Sequence, residues 1–372
     1  MGNFSTLFGN VVFPDRVEKG CICVENGKIV YAGSRQNAPS AGEVFDFGDR
    51  YIAPGFVDIH CHAGGDFWAH ENPRQMAAYH LRHGTTGLVC TLYRDVPSEQ
   101  ILQTADQVKA LMAEGSNLLG LHLEGPYLNP KYGSGSSGCE KPEVNPSEYL
   151  PIAQTGIICQ WTFSPEVEGT DGFLRDIVRM GIPAAIGHSA ASPEQIKIAE
   201  ENGARIVTHL FDATGTSVTP TRYGGTIEPS FDCGALLCDR FYYEIICDRG
   251  GVHVRPEMLK LAVKTVGIDR IVGITDACTG DTEDNADVNF VDGELMGSKL
   301  TMDAVARNFY ALGYSVPEVF RVTSLNPAKA IRKDGEIGSL AVGKRADILI
   351  LDRELNLCSV YQNGEKIENV HH

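Results

Sequence analysis

The sequence predicts an α/β protein, a (β/α)8 TIM barrel with a small β-sandwich domain built from both termini. Three observations predict this fold. With 372 residues, the chain is long enough for a barrel of about 250 residues and an additional small domain. Its middle part alternates apolar runs with amphipathic helical segments, which is typical of a parallel sheet. Both of its ends consist of short apolar runs separated by turn signals.

The barrel prediction depends on eight strand candidates in the middle of the chain, each followed by a helical pattern. One of these helical segments begins with Ser192 as N-cap and Pro193 at the first helical position. A doubly wound sheet is an open alternative, although no glycine-rich dinucleotide fingerprint follows the first strand. The candidates are residues 56–62, 84–92, 118–124, 157–163, 182–188, 205–210, 241–247 and 270–276.

The two ends of the chain predict hairpins with the same turn. Asn26-Gly27 separates two alternating runs near the start, and Asn363-Gly364 does so near the end. Because an isolated hairpin is only marginally stable, we expect both ends to pair into one domain. The predicted division is therefore 1–52 and 335–372 for the small β domain and 53–334 for the barrel.

Composition excludes several classes of partner. The formal net charge of −16 makes the general surface a poor binder of nucleic acid or anionic membrane. None of the apolar runs approaches the roughly 20 residues of a membrane span. Eleven scattered cysteines without a C-x-x-C pair are typical of reduced, buried thiols. We therefore expect a cytoplasmic protein that acts on a small molecule.

Polar side chains end several of the predicted barrel strands. His60 and His62 are alternate residues of the first strand, so both imidazoles can reach one point above the barrel mouth. This pair alone is also compatible with one core histidine and one loop histidine. TIM barrels, however, build their active sites at these strand ends, and histidine with carboxylate suits Zn²⁺, Fe²⁺ or Mn²⁺. Four further strand ends provide such groups and favour a metal-dependent hydrolase: Glu124, His188, His209 and Asp276.

Several motifs in this order resemble the amidohydrolase superfamily, and within it the N-acetylglucosamine-6-phosphate deacetylases. The motifs are "PGFVDIHCH", "LHLEGPYLNP", "IGHSAAS", "THLFDAT", "GVHV" and "ITDA". The resemblance covers essentially the whole chain. It implies hydrolysis of the acetyl group of an N-acetyl amino sugar, in a homodimer that requires one or two divalent ions, zinc or iron.

The resemblance also implies a role for each polar strand end. Glu124, His188 and His209 would hold the main ion, and His60 and His62, with Glu124 bridging, a second one. Asp276 would be the general base that takes a proton from the attacking water and delivers it to the departing amine.

By the same resemblance, other positions correspond to residues that contact the substrate in the N-acetylglucosamine-6-phosphate deacetylases. His253 would contact the sugar or phosphate, and Arg222 would reach the phosphate across a dimer interface. Asp212 and Ala213 would lie at the phosphate, and Ser136 occupies about the position of a histidine that contacts the acetamide.

Two departures from the family pattern suggest an alternative substrate. No histidine occurs between His122 and His188, so the acetamide contact is missing. Asp212 replaces an asparagine, and like charges about 4 Å apart repel by about 4 kcal/mol at an effective dielectric constant of about 20. An unphosphorylated N-acyl amine or sugar is therefore the alternative.

Three other functions agree less well with the sequence. Dihydroorotases and hydantoinases usually carry a metal-bridging lysine on strand four, which "GIICQWTFSPE" lacks. Nucleoside deaminases use a proton-shuttling glutamate after strand five, absent from "IGHSAAS". A non-catalytic sugar-binding descendant is compatible with the missing substrate contacts, but the complete set of metal-competent residues and Asp276 argues against it.

Overall fold

The structure is a computed structural model that describes residues 4–39, 42–133, 143–279, 287–291 and 294–368. In chain order, the strands of these residues are β1 (Phe4–Val12), β2 (Val17–Glu25), β3 (Lys28–Gly33), β4 (Glu43–Pro54), β5 (Phe56–Cys61), β6 (Ala63–Gly64), β7 (Phe67–Trp68), β8 (Thr85–Leu92), β9 (Leu118–Glu124), β10 (Ile158–Phe163), β11 (Ala184–Ile186), β12 (Ala204–Val207), β13 (Tyr242–Ile246), β14 (Ile271–Ile274), β15 (Val288–Val291), β16 (Glu294–Ser298), β17 (Ile348–Leu351), β18 (Leu357–Gln362) and β19 (Glu365–Lys366).

The helices of the same residues lie mainly between the barrel strands. They are α1 (Pro73–Arg82), α2 (Ser98–Ala113), α3 (Pro146–Ala153), α4 (Thr170–Arg179), α5 (Pro193–Glu201), α6 (Phe231–Leu236), α7 (Pro256–Val266), α8 (Met302–Ala311), α9 (Val316–Phe320) and α10 (Asn326–Ala330), with short 3-10 turns at Arg35–Asn37 and Ile268–Arg270 and a π-helical turn at Arg321–Leu325. Among the described helices, none has the length and apolar character that crossing a membrane requires.

Eight parallel strands form the barrel and confirm the predicted fold class. Their order is β5-β8-β9-β10-β11-β12-β13-β14, and β14 returns to β5, where the Asp276 N–H donates to the His60 carbonyl at 2.9 Å. Every residue of β5, β8, β9 and β10 is buried. Such continuous burial is expected of parallel strands that helices cover on one face and a filled interior on the other.

Three of the eight strands end two or three residues earlier than the sequence predicts. β11, β12 and β14 end at Ile186, Val207 and Ile274, each two residues before a predicted site residue. The site residues that follow, His188, His209 and Asp276, have φ values of 47°, 27° and 48°. A left-handed backbone cannot continue the extended strand, so these side chains lie on the turns directly above the barrel.

The terminal segments form one seven-stranded sheet, as predicted. Its order is β19-β18-β17-β4-β1-β2-β3, and β17 joins the two ends of the chain by pairing antiparallel with β4. Both predicted Asn-Gly turns are present with positive φ, at Asn26 and Gly27 and at Asn363 and Gly364. β4 ends at Pro54 and β5 begins at Phe56. The exact domain limits 1–52, 53–334 and 335–372 stay a prediction.

Local signals of the helices are also found. Ser192 accepts from the Gln195 N–H and forms a capping box at the start of α5, with Pro193 as the first helical residue.

Candidate metal centre

The six polar strand-end residues converge at the mouth of the barrel in two groups. The first group is His60, His62 and Asp276, and the second is Glu124, His188 and His209. Within each group, the potential ligand atoms lie within 4.8 Å of one another, and all six side chains are buried. The structure thus brings together the residues that the sequence places at five different strand ends.

The atoms that face each other are the Nε2 nitrogens and the carboxylate oxygens. In the second group, Glu124 Oε1 lies 2.9 Å from His188 Nε2 and 3.1 Å from His209 Nε2, and the two nitrogens are 3.0 Å apart. In the first group, His60 Nε2 and His62 Nε2 are 3.3 Å apart and lie 3.4 and 3.3 Å from Asp276 Oδ1.

Glu124 lies between the two groups. Besides its contacts with His188 and His209, its Oε1 is 3.3 Å from His60 Nε2, and its Oε2 is 3.2 Å from His62 Nε2. One carboxylate therefore contacts an imidazole nitrogen of all four histidines, which is the arrangement of a bridging ligand.

The other ring nitrogens of three histidines face acceptors. His60 Nδ1 is 3.0 Å from Glu244 Oε2, His188 Nδ1 is 3.2 Å from the Tyr132 carbonyl, and His209 Nδ1 is 3.2 Å from the Asp212 carbonyl. Because a carbonyl or an ionised carboxylate can only accept, each Nδ1 must carry the proton. In the neutral ring this leaves a lone pair on Nε2, the pattern that metal-binding histidines have in proteins.

The residues fit a divalent cation. At His188 and His209, two facing Nε2 atoms that both carry lone pairs repel each other at 3.0 Å unless a proton or a cation lies between them. Ligand atoms about 2.0–2.1 Å from a tetrahedral Zn²⁺ are themselves about 3.3 Å apart, close to the spacing in the first group. In the described part of the chain, every ion-pair partner of Glu124, Asp276 and Glu244 is a histidine, so no lysine or arginine supplies the opposite charge.

The pKa values follow from burial and from these partners. Burial opposes ionisation of Glu124, but the charges of His60 and His188 outweigh it and hold the carboxyl pKa well below its usual range. Burial likewise opposes ionisation of Asp276, and His60 and His62 outweigh it, so its pKa is lowered. For His60, burial lowers the pKa and the neighbouring Asp276 and Glu124 raise it, with a net rise.

Backbone strain is concentrated at the same place. The positive φ values of His188, His209 and Asp276 cost about 1–2 kcal/mol each for residues other than glycine. Strain of this kind is commonly retained where the position of a functional side chain depends on it.

Comparison with known proteins agrees with this geometry. Residues 51–370 match the Amidohydrolase family. The chain belongs to the amidohydrolase family. This confirms the class predicted from the strand-end residues, and the protein is a metal-dependent amide hydrolase.

Characterised relatives of this amidohydrolase are amino sugar phosphate deacetylases. The N-acetylglucosamine-6-phosphate deacetylase of Mus musculus is 28% identical over 371 residues, covering 88% of this chain and 86% of the relative. The N-acetylgalactosamine-6-phosphate deacetylase of Escherichia coli O157:H7 is 29% identical over 343 residues, covering 84% and 87%.

A solved structure has the same fold along nearly the whole chain. It is the N-acetyl-D-glucosamine-6-phosphate deacetylase of Mycobacterium smegmatis in complex with N-acetyl-D-glucosamine-6-phosphate. It superposes with a TM-score of 0.83 at 27% identity, covering 98% of this chain and 99% of that one.

The predicted substrate contacts of the amidohydrolase differ in burial: His253 is buried and Arg222 is exposed. His253 is buried and its Nδ1 lies 3.3 Å from Asp248 Oδ1, while its buried Nε2 has no hydrogen-bond partner in the described part of the chain. Burial lowers the pKa of His253, but the Asp248 hydrogen bond and the charge of Asp212 raise it above the usual value. His253 is therefore held by one nitrogen and presents the other.

The other predicted substrate contacts that the structure describes lie on the turn after β12 and in the loop that follows it. Asp212 Oδ1 accepts from the Ala213 N–H at 2.9 Å, so the carboxylate folds back on its own turn. Arg222 is exposed, and its backbone N–H donates to Glu228. Ser136 lies outside the described residues.

Sequence reasoning missed two residues that contact the amidohydrolase site. Glu244 is fully buried in β13 against His60, and the charged residue inside the apolar run "YYEIICD" was an available signal. The Tyr93 ring stacks on His62 with 3.7 Å between centroids and 6° between planes. No pattern in the sequence distinguishes this tyrosine from the others.

Proposed function

We propose that this amidohydrolase removes the acetyl group from an N-acetyl amino sugar, N-acetylglucosamine 6-phosphate or a close analogue. The observation that carries the proposal is the meeting of both ligand groups at Glu124, with Asp276 beside them. The substrates named for the mouse and mycobacterial relatives support the choice of sugar. The Escherichia coli relative is named for the galactosamine epimer, so a close analogue belongs to the same proposal.

In this proposal, Glu124, His188 and His209 hold one divalent ion, zinc or iron. His60 and His62 hold a second, with Glu124 between the two sites. A divalent ion bound there lowers the pKa of water and polarises a carbonyl oxygen. The chain itself supplies the geometry, since Glu244, Tyr132 and Asp212 orient three of the four imidazoles.

Asp276 is the proposed general base. It is buried and ionised, and its left-handed backbone directs the carboxylate toward His60 and His62. From this position it accepts a proton from the attacking water and returns it to the amine nitrogen as the amide bond breaks. His253 is the proposed sugar or phosphate contact, because its free Nε2 can donate a hydrogen bond when the ring is protonated.

The test measures acetate release by zinc- or iron-loaded protein from N-acetylglucosamine 6-phosphate and its galactosamine epimer. We expect Asp276→Asn to lower kcat by about 10²–10⁴-fold, the usual contribution of a general acid–base group. Thermal unfolding of the variant, measured in parallel, controls for its folding. Acetate release at the same low rate by both proteins on every substrate would contradict the proposal.

A second candidate is hydrolysis of an unphosphorylated N-acyl amine or sugar. The turn after β12 supports it, because two of its N–H groups already bind carboxylates. Ala213 N–H donates to Asp212, and Phe211 N–H donates to Asp232 at 2.8 Å. Exposed N–H groups of such a turn would attract a phosphate, whereas two carboxylates repel it.

The kcat/KM ratio for phosphorylated and unphosphorylated N-acetylglucosamine separates the two candidates. Comparable values would support the second, and a thousandfold preference for the phosphate would eliminate it. Under the first candidate, Asp212→Asn removes a negative charge beside the phosphate and lowers its KM, whereas under the second it leaves the KM for the unphosphorylated sugar unchanged.

We also propose that the enzyme is a cytoplasmic homodimer in which Arg222 reaches the site of the partner. The loop around Arg222 supports this, because Tyr223 is 74% and Ile227 94% exposed. Large apolar side chains exposed this far commonly mark a protein interface. Sedimentation of wild type and Ile227→Asp tests it, and we expect the variant to be monomeric.

A further inference from the structure

Glu244 is a buried carboxylate that takes no direct part in the proposed reaction. It lies in the middle of β13 with no exposed surface, between apolar neighbours of the same strand. Transfer of such a group from water to the interior is costly unless its oxygens are hydrogen-bonded. Each of its oxygens is: Oε2 faces His60 Nδ1 at 3.0 Å and also accepts from the His209 N–H at 3.4 Å, and Oε1 accepts from Gln160 Nε2 at 2.7 Å.

The contact with His60 defines which ring nitrogen carries the proton. A carboxylate accepts and does not donate, so His60 Nδ1 must be the protonated nitrogen. Nε2 then has a free lone pair, and Nε2 is the atom that lies 3.3 Å from His62 Nε2 and 3.4 Å from Asp276 Oδ1. Glu244 therefore acts on the first ligand group through a single histidine.

A chain of polar contacts fixes Glu244 itself. Gln160, which binds Oε1, is also 3.4 Å from His122 Nε2. His122 is held by Thr91 at 3.2 Å and Thr162 at 2.8 Å, and its ring packs edge-on against His60 with 4.6 Å between centroids. His60 is thus held by a hydrogen bond on one side and a ring contact on the other, and it cannot turn without disturbing both.

In the described part of the chain, no carboxylate contacts the Nδ1 atom of either histidine of the second group. His188 and His209 direct their Nδ1 atoms at the main-chain carbonyls of Tyr132 and Asp212. A side-chain substitution cannot remove these acceptors, whereas Glu244 can be replaced. The two groups therefore differ in what orients them.

We propose that Glu244 is a positioning residue that holds His60 with its Nε2 lone pair toward the first ligand group. Through His60 it sets the affinity of the group His60, His62 and Asp276 for a divalent cation. The affinity of the group Glu124, His188 and His209 depends on it much less, because Glu244 reaches that group only through the long contact with the His209 N–H and not through an imidazole nitrogen. This inference rests on the proposed metal centre but not on the proposed sugar substrate.

The test is a zinc titration of the metal-free protein in competition with a chromophoric chelator, for wild type and Glu244→Gln. We expect the variant to bind one zinc ion as wild type does and the other about 10–100-fold more weakly, the usual effect of losing a histidine-orienting partner. ¹¹³Cd NMR of the cadmium-loaded protein identifies the affected ion, since only one of its two cadmium resonances should shift or disappear. His62→Asn, which removes a ligand of the first group, assigns that resonance.

Asp303→Asn is the matched control. Asp303 is also a buried carboxylate with a histidine neighbour, but its polar partners are His83, Thr301 and Arg307. We expect Asp303→Asn to leave both zinc affinities unchanged. An equal loss at both ions in Glu244→Gln, or no loss at either, would overturn the proposal.

A second variant covers the case in which Glu244→Gln does not fold. Gln160→Met keeps the carboxylate but removes the hydrogen bond to its Oε1, so we expect a few-fold loss confined to the same ion. Unchanged or equally weakened binding of both ions in Gln160→Met would also overturn the proposal. None of these measurements uses turnover, so a failure of the proposed sugar specificity leaves their outcome unaffected.

Discussion

The histidines of this protein have opposite protonation behaviour at similar burial, and the neighbours of each ring explain why. For His80, burial lowers the pKa to about 4, against a weaker opposing effect of its hydrogen bond with the Ala63 carbonyl. For His209, burial also opposes the charged form, but the hydrogen bond and charge of Glu124 raise the pKa to about 9. A histidine in the sequence therefore predicts neither state until its acceptors are known.

His80 gives a prediction for the pH dependence of stability. Its folded pKa of about 4 is below the unfolded value of about 6.5, so the unfolded chain takes up a proton first as the pH falls. The stabilisation is complete above pH 6.5 and is lost between pH 6.5 and 4. From pH 7 to pH 5 the loss amounts to about 2 kcal/mol.

Urea unfolding of wild type and His80→Gln at both pH values checks this. Glutamine can still donate to the Ala63 carbonyl but does not titrate. The free energy of unfolding of wild type should fall more than that of the variant by about 2 kcal/mol. An equal fall would show that His80 does not contribute.

At the scale of elements, the two Asn-Gly turns meet in space although more than 300 residues separate them. The Ala346 N–H donates to the Gly27 carbonyl, and the Gly364 N–H donates to the Ala346 carbonyl. A Cβ on Gly27 would lie 2.8 Å from the Asn363 carbonyl oxygen. Gly27 is therefore required both for its positive φ and for the approach of the other turn.

Gly27→Ala should destabilise the protein more than Gly115→Ala. Both glycines have positive φ, 74° and 86°, but a Cβ on Gly115 has no neighbour within 4 Å in the described structure. Gly115→Ala should cost about 1 kcal/mol for its backbone conformation alone. Gly27→Ala should lower the free energy of unfolding by about 1 kcal/mol more, because the added Cβ displaces the Asn363 backbone.

Urea midpoints at constant m-value measure the difference between these two variants. Equal free energies of unfolding for Gly27→Ala and Gly115→Ala would contradict the prediction, because they would mean that the two Asn-Gly turns can move apart without cost.

At the scale of the whole molecule, the barrel concentrates buried charge that a cation can neutralise. The six proposed ligand residues come from β5, β9 and the turns after β5, β11, β12 and β14, so an ion bound by them would connect elements around the entire barrel. Binding of an ion to the folded state alone stabilises it in proportion to the logarithm of the ion concentration.

We therefore expect a chelator to lower the Tm and added zinc to restore it. At a free zinc concentration 100-fold above Kd, the gain is about 2.7 kcal/mol for each site. Differential scanning calorimetry with and without zinc measures it. Glu124→Gln, which removes the residue shared by both groups, should lose most of the gain. A Tm independent of zinc in wild type would contradict the proposed metal centre.

Much of this molecule follows from local patterns in the chain. Alternation of apolar runs and helical segments predicts the barrel, Asn-Gly predicts both hairpin turns, and Ser192-Pro193 predicts the start of α5. The faces of His60 and His62 also follow from the two-residue period of a strand. These features depend on interactions within a few residues, so the sequence alone predicts them.

The orientation of the site residues follows from contacts between distant parts of the chain. Glu244 contacts His60 across 184 positions, and Tyr93 stacks on His62 from a neighbouring strand end. The turns at His188, His209 and Asp276 end their strands before the predicted bounds, because a left-handed backbone cannot continue an extended strand. The pattern of residue types predicts the proposed ligands of this centre. Closure of the barrel determines which ring nitrogen of each histidine faces the carboxylates of Glu124 and Asp276.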